Sequence, residues 1–161
     1  MQFVNVTEIH YSDIANLVSS PEELYLVYPS GSYPWSIKQL QELAKIRLNF
    51  TICMIENRIV AFANLYHVKV GESAFIGNVI VSKDYQGQGI GKALTQYMME
   101  VCQTQHKAIP HLSVFNFNTR ALLMYTQLGF EPYAIEPRKN LTGDSVALIH
   151  MQYGKKIESK L

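Results

Sequence analysis

Val81-Ser82-Lys83-Asp84-Tyr85-Gln86-Gly87-Gln88-Gly89-Ile90-Gly91-Lys92 is the stretch that decides the reading of this chain. An apolar segment, Ala74 to Val81, runs into it as a strand. Out of it runs a helix whose Ala93, Leu94, Tyr97, Met98, Val101 and Cys102 form one stripe at helical spacing. Alternate glycines at the join let the main chain approach a ligand and turn so that several N–H groups converge. The helix beginning near Gly89 adds the positive end of its dipole. Each charge-assisted hydrogen bond to an anion contributes on the order of 1.5–3 kcal/mol. Several such bonds hold a pyrophosphate without an obligatory lysine.

Register excludes other phosphate loops. A dinucleotide fingerprint starting at Gly87 needs glycine at position 92, where Lys92 stands. A P-loop ending at Gly91-Lys92 needs glycine at position 86 and Ser or Thr at position 93, where Gln86 and Ala93 stand. A loop at mid-chain also lacks the early strand–helix–strand start of a Rossmann domain. A nucleotide-dependent kinase or dehydrogenase fails on these grounds.

Upstream, Gln2 to Val6 alternates as a first strand, and Ser12 is read as the cap of a short helix carrying Ile14, Leu17 and Val18. Ser20-Pro21-Glu22-Glu23 has the pattern of a capping box, and Ser36 opens a helix with Ile37, Leu40, Leu43 and Ala44 inward. Tyr28 to Pro34 is a loop by its Pro and Gly content. Phe50 to Glu56 and Ile59 to His67 read as a hairpin about a turn at Asn57-Arg58. Downstream, strands are expected at His111 to Phe115, Phe130 to Ile135 and Val146 to Tyr153, and a helix runs from Asn118 to its stop at Gly129. This order predicts a mixed α+β domain with a twisted central sheet of about six to seven strands and helices on both sides. One domain is expected over residues 1–154, with a polar tail at 155–161.

Composition narrows the function classes. The chain has 161 residues, 48% hydrophobic and 17% charged, with a net charge of +1, so it is long enough for a packed core and carries no basic stripe for nucleic acid. Its two cysteines, Cys53 and Cys102, and five scattered histidines form no metal-ligand spacing, and no metal is expected. No apolar run approaches the roughly 18 residues of a membrane span, and no signal peptide is recognisable. A cytoplasmic protein is expected. The final Ser159-Lys160-Leu161 matches a peroxisomal address that would matter only in a eukaryote, and is otherwise a chance ending.

The pattern Gln/Arg-x-x-Gly-x-Gly/Ala, filled by Gln86, Gly89 and Gly91, resembles the GNAT superfamily of N-acetyltransferases. Asn118-x-x-Ala121-x-x-x-Tyr125-x-x-x-Gly129-Phe130 is similar to the downstream motif of that family. The element order agrees with the family fold from about Gln2 to Tyr153. The resemblance implies acetyl-CoA as co-substrate, its pyrophosphate held by Gln86, Gly87, Gln88, Gly89, Ile90, Gly91 and Lys92. It implies that the strand ending at Val81 splays from the one at His111 to Phe115, with main-chain groups near Val79 and Val81 pairing with the pantetheine arm. An N–H there would also polarise the thioester carbonyl.

By the same resemblance Tyr125 protonates the departing thiolate, since a phenol of pKa about 10 is still protonated at neutral pH. Tyr125 also fits the apolar stripe of its helix, so packing competes with chemistry for it. Asn118 reads as an N-cap, and the family places an asparagine there against the cofactor. Some family members carry a glutamate base on the strand before the loop, but Ala74 to Val81 contains no acid. Glu72, His67 and His111 are candidates, and none is assigned. Tyr25, Tyr28, Tyr33 and Trp35, near Glu22 and Glu23, cluster where the family covers its acceptor. Aromatics with acids can receive a cationic amine, although packing beneath a loop explains aromatics more often. Tyr28, Tyr33, Trp35 and Asn78 are the acceptor-side candidates.

The function expected is transfer of acetyl from acetyl-CoA to a primary amine of a small molecule or peptide by direct attack on the thioester. A non-catalytic acyl-CoA-binding sensor of the same fold is the second reading, and turnover on an amine panel separates the two. Many family members are dimers, so a homodimer is admitted, but no residue marks its face.

Overall fold

A computed structural model describes residues 1–154. The polar tail at 155–161, with its Ser159-Lys160-Leu161 ending, lies outside them. The elements are β1 (Gln2–Asn5), α1 (Tyr11–Ala15), α2 (Pro21–Val27), α3 (Ile37–Ala44), β2 (Leu48–Ile55), β3 (Arg58–Lys69), β4 (Ser73–Val81), α4 (Ile90–Gln105), β5 (Ile109–Phe115), α5 (Thr119–Gln127), β6 (Phe130–Lys139) and β7 (Ser145–Tyr153). Seven strands form one sheet in the order β1-β2-β3-β4-β5-β7-β6. Every neighbouring pair is antiparallel except β4 and β5, which α4 joins as a parallel crossover.

Strand alternation divides the apolar residues between two faces. Cys53, Ala61 and Ala63 pack on one face with Leu94, Met98 and Val101 of α4 and with Tyr125 of α5. Ile52, Phe62 and Ile80, one step along the same strands, pack on the other with Ile14, Leu24, Leu40 and Leu43 of α1 to α3. Helices therefore cover both faces, and each fully buried Leu or Phe contributes about 1.5–3 kcal/mol relative to exposure. Both cysteines are free and buried, and burial pushes the Cys102 thiol up to about 12, so each behaves as a core residue.

Local details depart from the sequence reading in three places. The hairpin turn is Glu56-Asn57 rather than Asn57-Arg58: both residues are left-handed (φ 48° and 62°) and Ile55 pairs with Arg58, a two-residue turn whose twist suits the flanking strands. Ser12 lies inside α1 instead of capping it, because a 3₁₀ turn at Glu8–His10, whose cap position is Thr7, leads directly into the helix. At Ser20 only half of the capping box forms. Its Oγ accepts from Glu23 N at 3.1 Å, but the Glu23 carboxylate turns to Ser19 N and Oγ at 2.8 and 3.0 Å.

Candidate active site

The sheet opens where β4 and β5 part. Their ladder runs from Ser73–Ile109 to Ile76–Leu112 and stops there, although β4 continues to Val81 and β5 to Phe115. A bulge in β4 explains the parting. Phe62 pairs with Ile80 but Asn64 with Gly77, so β4 carries one extra residue, and Asn78 within it is left-handed at φ 50°. Buried polar groups hold that bulge. Asn78 Oδ1 accepts from Arg47 Nη1 and from Asn64 Nδ2, both at 2.7 Å, and Asn78 Nδ2 donates to Val27 O at 2.7 Å. A hydrogen-bonded left-handed asparagine keeps the strand bent, leaving the β5-facing main chain of the last β4 residues outside the ladder.

The opening continues as a cleft of about 1020 Å³, lined by Val79, Val81, Tyr125 and the glycine loop. Of the proposed cofactor residues, Gln86, Gly87, Gly89, Ile90, Gly91, Lys92 and Asn118 border the same cleft, and Gln88 does not. Gln88 instead turns its amide toward Asp84 O at 3.4 Å. Gln86 Nε2 donates to Val81 O at 3.1 Å and closes the loop onto the strand end.

Gly87 and Gly89 have φ of 76° and 82°, and a Cβ built on either meets nothing within 4 Å. Backbone conformation alone therefore favours glycine there, and the space in front of the loop is open. Ser20 caps α2 and Ser36 caps α3, whereas α4 opens on Gly89 with no side-chain cap. The first N–H groups of this 16-residue helix thus have no side-chain cap, an arrangement that suits an anion such as a pyrophosphate. Lys92 and Arg120, both on the cleft, add positive charge. Arg120 was not singled out from sequence.

Asn118 occupies the N-cap position of α5 but makes no side-chain cap bond, which corrects the capping role expected of it. Its φ of −83° and ψ of 67° leave the extended geometry that a capping asparagine uses, and the residue borders the cleft. Tyr125 is 7% exposed, packs edge-on against Phe130 at 6.0 Å and still reaches the cleft, so packing and site coincide. Burial, with Tyr66 nearby, raises its phenol well above the ordinary tyrosine value.

The acceptor-side candidates separate. Tyr28 and Asn78 border the cleft, but Tyr33 and Trp35 do not. Trp35 is 5% exposed in the core beneath α1 to α3, 6.0 Å from Phe62 and 6.1 Å from Tyr28, so it buttresses Tyr28 from behind. Tyr33 sits outward at 42% exposure. The acid half of the amine pocket is absent too: Glu22 does not line the cleft, and Glu23 is occupied by Ser19.

Two groups at the site carry no signal in the sequence. Arg47 enters from behind α3 and lies over the Tyr66 ring with its guanidinium carbon 4.3 Å from the centroid. Ser113, on the cleft wall, meets His150 Nδ1 at 2.7 Å, and His150 Nε2 meets Glu136 at 3.0 Å. Hydrogen bonds from Arg138 and His150 hold the Glu136 carboxyl below its ordinary value. An ionised Glu136 makes Nε2 the protonated nitrogen, which leaves Nδ1 to accept from the Ser113 hydroxyl. The earlier base candidates are elsewhere: His67, Glu72 and His111 do not border the cleft, and His111 bonds the Tyr133 hydroxyl at 3.0 Å.

Comparisons with known proteins show the family. The sequence profile of the Acetyltransferase (GNAT) family matches residues 15–130. The chain belongs to that family. It is 29% identical over 116 residues to the [Ribosomal protein bS18]-alanine N-acetyltransferase of Escherichia coli strain K12, covering 71% of this chain and 76% of the relative. It is 37% identical over 93 residues to the Mycothiol acetyltransferase of Jonesia denitrificans, covering 58% of this chain and 29% of that protein. The crystal structure of spermidine N-acetyltransferase from Vibrio cholerae in complex with CoA and spermine superimposes with a TM-score of 0.79 at 16% identity, covering 94% of this chain and 93% of that one. The GNAT fold is thus established for this chain, and its relatives are acetyltransferases. Among the described residues no helix is long and apolar enough to cross a membrane.

Proposed function

We propose that this GNAT protein transfers acetyl from acetyl-CoA to a primary amine by direct attack within the cleft. The observation that carries the reading is the meeting of the uncapped α4 N-terminus, the end of β4 beyond its ladder with β5, and Tyr125 at one opening. Acetyl-CoA supplies the activated acetyl thioester. Main-chain N–H groups of Gly87 and of Gly89 to Lys92 hold its pyrophosphate, with the Lys92 and Arg120 side chains beside them. Val79 and Val81 pair with its amide arm through the backbone, and a β4 N–H polarises the carbonyl. Asn118 orients the arm, and Tyr125 stabilises the leaving sulfur.

The amine must first lose a proton. An amine of pKa about 10.4 costs roughly 4 kcal/mol to present neutral near pH 7.4. Ser113 takes that proton while passing its own to His150 Nδ1, and Glu136 stabilises the resulting imidazolium. Replacing His150 with glutamine is expected to lower kcat/KM for the acceptor by about ten- to a hundredfold, with acetyl-CoA binding retained. Steady-state kinetics beside calorimetry with acetyl-CoA check this, because a loss of fold would weaken both together.

The reading as a whole is tested by calorimetry with acetyl-CoA, followed by thiol release on amino acids, polyamines and peptide N-termini. Binding at micromolar concentrations with amine-dependent thiol release is expected. Tight binding without release on any amine would favour a sensor, and no binding would end both readings.

A further inference from the structure

The guanidinium of Arg47 is ringed by groups that shape it without neutralising it. Nη1 donates to Asn64 Oδ1 at 3.1 Å and to Asn78 Oδ1 at 2.7 Å, and the Tyr66 and Tyr28 rings lie 4.3 and 6.0 Å away. No carboxylate among the described residues forms an ion pair with it. Those two bonds use both Nη1 hydrogens, leaving Nη2 and Nε without partners among the described residues. Burial pulls its pKa down, the signature of a cation short of water and of counter-charge. Gly77 makes this placement possible, because a Cβ there would stand 2.5 Å from Nη1 and 2.7 Å from the Tyr66 ring.

A half-buried arginine without an anion is costly unless something brings one. The cleft it borders has the matching imbalance. Arg47, Lys92, Arg120, Arg138 and Lys139 line it, and Glu23, already bonded to Ser19, is the single carboxylate among the lining residues described. Lys92 and Arg120 belong to the phosphate end. Arg138 is partly neutralised by Glu136 at 3.0 Å. Lys139 is exposed and bonds Ser145 Oγ at 2.8 Å, which leaves Arg47 as the half-buried cation, beside Asn78 and Tyr28. It touches Tyr66, which in turn lies close enough to Tyr125 to raise its phenol. The wall is also narrowed, since the Tyr25 hydroxyl donates to Lys139 O and joins α2 to the end of β6. A compact molecule suits this end better than a cationic chain.

We propose that the acceptor carries a carboxylate, or an equivalent oxyanion, on the same small molecule as its amine, and that Arg47 receives it. This rests on the acetyltransferase reading. The planar fork of Arg47 matches a carboxylate through Nη2 and Nε, and holding the anion there orients the amine toward Ser113 and the thioester. Polyamines, which bring only positive charge, are poor acceptors on this account.

The test compares L-amino acids with their carboxamides as acceptors, with spermidine as a cationic control. Wild-type protein is expected to favour the carboxylates by about ten- to a hundredfold in kcat/KM, the range of one charge-assisted pair. The preference is expected to collapse toward one in Arg47→Gln and to return in part in Arg47→Lys. Comparing ratios between proteins cancels the differing basicity of the amines. An equal loss on both acceptor types would mean that Arg47 only braces the bulge, and would overturn the proposal, as would a wild-type preference for carboxamides or spermidine. A binding measurement does not depend on turnover: N-acetylglycine should bind the CoA-loaded protein more tightly than N-acetylglycinamide. Equal affinities, or no binding of either to protein that does bind CoA, would overturn the anionic acceptor alone. Failure to bind acetyl-CoA would remove the transferase reading itself.

Discussion

Tyr125→Phe is expected to lower kcat by about a thousandfold while leaving the affinity for acetyl-CoA within a factor of two. The substitution removes one oxygen from a residue that is 7% exposed and otherwise packed, so the ring contacts with Phe130 persist and the fold should hold. The raised phenol pKa decides how the residue acts. A thiol is ordinarily the stronger acid, so a complete proton transfer from the raised phenol to a thiolate runs uphill. On the proposed mechanism Tyr125 therefore donates a strengthening hydrogen bond as charge gathers on sulfur, and the released thiolate takes its proton from solvent. Sign follows from the same shift. A phenol raised above its usual value stays protonated further into alkali, so kcat should show no alkaline limb from Tyr125 below about pH 10. Single-turnover kinetics across pH check both statements, and a Phe variant with wild-type kcat would remove Tyr125 from the chemistry.

Gly89→Asp is expected to weaken acetyl-CoA binding by at least a hundredfold, measured by calorimetry. Two effects add. Gly89 sits at φ 82°, where an L side chain is strained by about 1–2 kcal/mol. The new carboxylate would also place negative charge beside the first N–H groups of α4, where a pyrophosphate would lie, costing several charge-assisted bonds. No neighbour lies within 4 Å of the built Cβ, and a negative charge near a helix N-terminus is favourable. The melting temperature should thus fall little while cofactor affinity collapses. That divergence distinguishes a lost site from a lost fold. Unchanged affinity would mean that the loop is a turn and nothing more.

The parts of this molecule that were legible in the sequence are those written in local spacing. The glycine loop, the stripe on α4 and the helix ending at Gly129 each announce themselves within a dozen residues, and the order of elements along the chain was read from similar local signals. Seven strands in a mixed sheet between helices match the expected architecture. What stayed hidden was assembled across the sheet. Ser113, Glu136 and His150 come from three strands, and the Ser113–His150 pair is separated by 37 positions. Arg47 follows a helix end and looks like any surface cation until the bulge at Asn78 draws it inward. The cluster of aromatics at 25–35 was visible, but sequence could not say that Trp35 faces the core while Tyr28 faces the cleft. That depends on how α2 and α3 dock. Asn118 was misjudged for a related reason, since its backbone angles, set by the β5–α5 corner, turn it from capping.

The extra residue in β4 has an effect on how such proteins diverge. By withdrawing one strand end from β5, it creates a seam whose recognition groups, on the proposed reading, are peptide units, which every amino acid supplies alike. Val79 and Val81 can then exchange for other side chains of similar bulk with little effect on what the seam grips. Lineages can lose almost all letter-by-letter likeness while keeping the same grip, and change at the acceptor wall is free to retune the partner.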